Sequence, residues 1–140
     1  MSCILTIIGE DLNPDGLIEA IDLTVHKVTK RGEQRFKTQP DRGLMPYTVV
    51  SYLASDAGLD NVEQQIIDAE TYLVSNFEKL NLISQIAEVQ YATLRFGVRH
   101  YVDKFGNDVY FPPSLMKLVG ALGLSIELSS YTAEREIEEQ

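Results

Sequence analysis

One stripe of side chains constrains this sequence more than anything else in it. Val62, Ile66, Ala69, Leu73, Phe77 and Leu80 recur at steps of three and four, the spacing that gathers side chains on one face of an α-helix. Asp60 and Glu63 precede the stripe with capping-box spacing and predict the helix start. Asn81 marks an interruption, after which Leu82, Ile83, Ile86 and Val89 predict a further turn or two. A helix with one apolar face must lay it on another layer, and the flanking sequence supplies one. YTVVSYLA at 47–54 has strand composition, with Tyr47, Val49 and Ser51 on one side and Thr48, Val50 and Tyr52 on the other. YATLRFGVRHYV at 91–102 puts Ala92, Leu94, Phe96, Val98, His100 and Val102 on one face. Tyr91, Thr93, Arg95, Gly97, Arg99 and Tyr101 fall on the other, and the pattern reads as a long, half-exposed strand.

The remaining segments extend this pattern. Ile4, Leu5, Ile7 and Ile8, ended by Gly9, predict a first strand covered on both faces. Asn13 followed by Pro14 opens a short helix bearing Leu17, Ile18 and Ile21. Leu23 to Val28 alternates more weakly and suggests a second strand, and residues 26–42 read as a long polar loop. DKFGND is a turn around Gly106 and Asn107. Pro113 then fits the first turn of a helix carrying Leu115, Met116, Leu118, Val119 and Leu122, ended by Gly123. Leu124, Ile126 and Leu128 alternate with Ser125, Glu127 and Ser129 to give a last strand at 124–131. The order is strand, helix, strand, strand, long helix, long strand, short helix, strand. It predicts an α+β domain, a mainly antiparallel sheet with helices packed on one face, and ferredoxin-like split βαβ units satisfy it. The expected organisation is one domain at 1–132 and an acidic tail at 133–140.

Composition narrows the function classes. The chain has 140 residues, with 44% hydrophobic and 24% charged, enough to build a core without a metal or a disulfide, and Cys3 is its single cysteine. MSCILTIIGE lacks a basic n-region, and no stretch approaches a membrane span, so a cytoplasmic protein is expected. With 12 Lys and Arg against 21 Asp and Glu, the formal net charge is −9, which argues against nucleic acid and favours basic partners. Glu10, Asp11, Asp15, Glu19 and Asp22 surround the first helix, and Asp56, Asp60, Glu63, Asp68, Glu70, Glu78 and Glu88 follow the second helical region. They read either as one negative surface or as ordinary solvated helix faces.

No chemistry-bearing motif emerges. Cys3 beside an apolar strand reads as a small buried hydrophobe, His100 as a partly buried histidine on the apolar face, and His26 as solvated. Two separate histidines and one cysteine do not outline a zinc site, and Asp103 to Asp108 lacks the ligand alternation of a calcium loop. Glycine-rich phosphate loops and nucleophile elbows are missing as well, so no catalytic residue, metal or cofactor is expected. Lys30, Arg31, Arg35 and Lys37 with Phe36 form a basic segment of six basic against two acidic residues over 26–42. It reads as a solvated loop or as a neutraliser of the protein's own acidic helices. Arg95, Arg99 and Tyr101 share a sheet face and compose a polar, aromatic-edged surface of the kind that contacts partners.

Two stretches carry a family resemblance. GEDLNPDGLIEAIDLTVHKVTKRGE, with Gly9, Leu12, Pro14, Ile18, Ile21, Leu23 and Gly32, resembles the opening of the bacterial domain of unknown function 4279 family. FPPSLMKLVGALGLSIELSSY, with Leu115, Leu118, Leu122, Gly123, Ile126 and Tyr131, is similar to that family's closing helix and strand. The likeness spans most of residues 3–132. Members often carry a Trp after the early loop, where this chain offers Tyr47 or Tyr52, and an acidic residue before the final Tyr, where it has Ser129 and Ser130. The resemblance implies a largely uncharacterised domain, some of whose members are thought to be immunity proteins that neutralise toxins of bacterial competition. Three readings follow. The first is a non-catalytic, immunity-type inhibitor that occludes a toxin through Arg95, Arg99 and Tyr101. The second is a small-molecule-binding or enzymatic domain using His100, Arg95 and Arg99 for an anionic ligand. The third is a subunit that self-associates through an exposed strand edge, such as that of the last strand, into a homodimer.

Overall fold

The computed structural model describes residues 2–36 and 38–134. The chain runs β1 (Cys3–Gly9), α1 (Pro14–Ile21), β2 (Lys27–Thr29), β3 (Thr48–Ser55), α2 (Val62–Ser75), α3 (Phe77–Leu80), β4 (Tyr91–Tyr101), α4 (Pro113–Ala121) and β5 (Ser125–Ala133). Single 3-10 turns at Pro40–Arg42 and Asn81–Gln85 complete it. The five strands form one sheet in the order β2-β3-β1-β4-β5. β3 is antiparallel to both β1 and β2, and β1 is antiparallel to both β3 and β4. β1 and β2 are therefore parallel strands flanking β3, while β3 and β4 are parallel strands flanking β1. These are two interleaved split βαβ units, and α4 then returns the chain to lay β5 parallel beside β4. The domain is α+β, with a mostly antiparallel sheet and its helices on one face.

Local chemistry accounts for the helix boundaries. The Asn13 side chain accepts from the Gly16 amide at 3.4 Å, and Pro14 occupies the first helical position of α1. Asp22 closes α1 in the left-handed region at φ 53°, and Lys79 donates to its carbonyl at 2.9 Å, which ties α3 to the end of α1. At the end of α4, Gly123 at φ 70° turns the chain so that the Leu124 amide reaches the Val119 carbonyl at 2.9 Å.

The core lies between the helices and one face of the sheet. Cys3, Leu5 and Ile7 of β1, Val50 and Tyr52 of β3, and Ala92, Leu94 and Phe96 of β4 meet Leu17, Ile21, Ile66, Ala69, Leu73, Leu115 and Val119 from the helices. Phe96 also packs against Phe111, with ring centroids 5.2 Å apart. The stripe from Val62 to Leu80 does face this core. Its helix breaks at Asn76 rather than Asn81: the Asn76 backbone leaves helical geometry at φ −118°, ψ 19°, and its side chain donates to the Tyr72 carbonyl at 2.9 Å.

Three local expectations need correction. The cap of α2 is Asn61, whose side chain accepts from the Gln64 amide at 3.3 Å, and Asp60 is turned elsewhere. The second strand is confined to Lys27–Thr29, since Leu23 and Val25 pack against the margin of the core instead of continuing the ladder. Finally, β4 is not half exposed along its length. Thr93 is only 3% exposed although its face carries no helix, because β4 is an interior strand flanked by β1 and β5. The last strand also runs to Ala133, and Arg135 to Gln140 of the expected acidic tail lie outside the described residues.

Candidate functional site on the open face of the sheet

The face turned away from the helices presents Ile4, Thr6 and Ile8 of β1 against Arg95, Thr93 and Tyr91 of β4. Across the parallel pair, Arg95 stands opposite Glu127, Gly97 opposite Ser129, Arg99 opposite Tyr131 and Tyr101 opposite Ala133. β1 is shorter than β4, so the upper half of β4 needs another neighbour. Gly97 donates its amide to the Ser2 carbonyl at 2.7 Å, and Arg99 donates its amide to the Leu59 carbonyl at 3.0 Å. The connection between β3 and α2 thereby takes the place β1 vacates.

Gln65 fixes this connection. Its fully buried side-chain amide donates to the Gly58 carbonyl at 2.9 Å and to the Gly97 carbonyl at 2.8 Å, joining α2, the connection and β4 through one group. Gly97 is the position where Leu59 crosses the strand. A β-carbon there would stand 2.8 Å from the Leu59 side chain, so the missing side chain makes room for the crossing. A shallow depression of about 340 Å³ results, lined by Ser2, Ile4, Leu59, Arg95, Gly97 and Tyr131.

Two cation–carboxylate pairs rim the depression. Asp60 accepts from Arg99 Nη1 at 2.5 Å and from Tyr101 Oη at 3.1 Å. The hydrogen bond to Tyr101 and then the charge of Asp60 push the Arg99 guanidinium above its ordinary value, so it stays a cation. Arg95 Nε lies 4.0 Å from Glu127 Oε1 and has no hydrogen-bond acceptor among the described residues. The Arg95 and Arg99 side chains are 42% and 36% exposed, and Arg95 Nε itself is buried.

The structure thus brings Arg95, Arg99 and Tyr101 onto one face, and alternation along β4 places His100 on the other. The constellation of His100 with the two arginines does not form. Cys3 is buried, and burial, reinforced by the charge of Asp68, pushes its thiol up to about 12, which leaves it protonated at neutral pH. His26 is exposed beside a groove lined by Leu23, Val25, Leu53, Tyr72 and Asn76. In the basic segment, Arg31 pairs with Asp11 at 3.3 Å and Arg42 lies over the Phe36 ring at 5.3 Å. Lys37 lies outside the described residues, while Lys30 and Arg35 are exposed. Among the described residues no three His, Cys, Asp or Glu side chains converge as metal ligands would, and no helix is long and apolar enough to cross a membrane. Acid from both helical regions does meet, at a groove lined by Glu10, Asp11 and Glu88.

Sequence reasoning missed Asp60, Leu59, Gln65 and Tyr131 as parts of this face. Two signals were present: a glycine in the interior of a strand pattern, and a glutamine next to Ile66 near the start of an otherwise apolar helix stripe. No curated protein and no solved structure matches the chain. Residues 1–133 match the family described as a domain of unknown function (DUF4279), and the chain therefore belongs to that family.

Proposed function

We propose that this protein is a non-catalytic, immunity-type inhibitor of the cytoplasm that occludes a cognate bacterial toxin with the open face of its sheet around Arg95, Arg99 and Tyr101. The observation that carries this reading is the pre-positioning of Arg99 and Tyr101. Arg99 and Tyr101 are both held by Asp60, on a connection that Gln65 clamps to β4. Side chains ordered before a partner arrives lose little freedom on binding, and tyrosine and arginine are the residues that dominate protein contacts. The depression at Gly97 is shallow and open, a shape suited to a protruding side chain of a protein partner. The net charge of −9 adds long-range attraction for a basic toxin, while the arginine-bearing face supplies local register.

The test is capture and protection. Tagged protein should retain the toxin-like product of a neighbouring gene and protect cells that express it. The triple variant Arg95→Ala, Arg99→Ala, Tyr101→Ala should lose both while keeping its circular dichroism spectrum. A folded triple variant that captures and protects as well as the parent sinks the reading.

A further inference from the structure

The two edges of the sheet are finished differently. β2 is three residues long, carries Lys27, and passes at both ends into segments without strand geometry. Short, charged edges of that kind resist pairing with another chain. β5 has nine residues, pairs with β4 on one side in an unbroken register, and among the described residues pairs with no strand on the other. Its sequence, SIELSSYTA, has no proline and no lysine, and its one charge, Glu127, is set against Arg95 of β4. Leu128 is 42% exposed and Tyr131 50% exposed along the same strand. None of the usual devices that blunt an edge is present here.

We infer that β5 pairs with β5 of a second copy of this chain, antiparallel about a twofold axis at Leu128. Direction follows from closure and charge. A twofold axis perpendicular to the sheet joins identical edges only in the antiparallel sense and closes the assembly at two copies. The same direction sends Glu134 of one copy away from Glu134 of the second. Register follows from the side chains. An axis at Leu128 sets the two exposed leucines against each other, Glu127 opposite Ser129, and Ser125 opposite Tyr131 of the second copy. An axis one residue earlier would oppose Glu127 to itself, a like-charge pair that destabilises a ladder. In the Leu128 register the sheets join into ten strands with both helix layers on one side, and the open face becomes continuous across the dimer. The inference stands independently of the toxin reading, since it uses only the edge.

Light scattering of the 140-residue chain, from low micromolar to submillimolar concentration, should show the mass rise from 15.7 kDa to twice that value. Leu128→Lys, which would oppose two ammonium groups on the axis, should remain monomeric over that range with an unchanged circular dichroism spectrum. Leu128→Cys should cross-link on mild oxidation, because directly opposed strand residues lie within disulfide reach, and Ser125→Cys should not. A monomer at every concentration overturns the inference. So does a dimer that survives Leu128→Lys, or cross-linking of Ser125→Cys as efficient as that of Leu128→Cys.

Discussion

The helix-covered face and the open face of this sheet are built from alternate residues of the same strands, yet they are held by different forces. On the covered face, Cys3, Leu5, Ile7, Val50, Tyr52, Leu94 and Phe96 are inaccessible to solvent and stabilise the fold by apolar burial. On the open face, Thr6 and Thr93 are buried polar residues on interior strands, and each arginine is paired with a carboxylate. Exposed ion pairs add little to stability. Stability and surface chemistry are therefore separable in this molecule, one residue apart along β4, and Gln65 is the group that couples the two.

The largest expected effect tests that separation directly. Phe96→Ala, on the covered face, should lower unfolding free energy by about 3–5 kcal/mol, whereas Arg95→Ala beside it should stay within about 0.5 kcal/mol. Denaturant melts of the two variants check this, and equal losses would break the comparison. Gln65→Leu should cost about 1–3 kcal/mol, since it takes the side-chain donor from the buried Gly97 carbonyl, whereas the Gly58 carbonyl keeps the Asn61 amide at 3.0 Å. Faster hydrogen exchange at the Arg99 amide should accompany that loss, because the Leu59 connection loses its clamp.

Asp60→Ala should barely move the melt, yet should release Arg99 and Tyr101 and weaken capture of a partner. A variant that melts normally and binds normally would remove Asp60 from the site. The smallest effect concerns pH. Hydrogen bonds from Ser55 at 2.6 Å and then from Gln64 at 2.8 Å hold the Asp68 carboxyl below its ordinary 3.8. The folded-state value is the lower one, so the stabilisation is complete above the unfolded-state value and is lost as pH falls through the folded one. Ser55→Ala removes the larger cause and should move the acid-unfolding midpoint to higher pH, as an acid titration followed by circular dichroism would show.

Much of the architecture is legible in the residues because secondary structure is written in local periods. The stripe from Val62 to Leu80, the alternation from Tyr91 to Tyr101 and the Asn13–Pro14 start each depend on side chains within a few turns of one another. The errors are equally instructive. Asp60 has capping spacing, but Asn61 beside it has the better-placed side chain, and a sequence cannot show that an arginine and a tyrosine some forty positions later will take the carboxylate. Thr93 looks solvent-facing by alternation, which reports side but not the depth of the strand in the sheet.

From its sequence alone, this chain is committed to its elements, to the apolar face of each, and to the α+β class, since all of these follow from short-range spacing and from the need to bury that face. The folded arrangement alone settles which strands are neighbours and that β1 stops short of β4. It also settles that Leu59 crosses at Gly97, and that Asp60 meets Arg99 and Tyr101. Those are contacts between residues far apart in the chain, selected by packing and charge after the elements meet, and no local pattern encodes them.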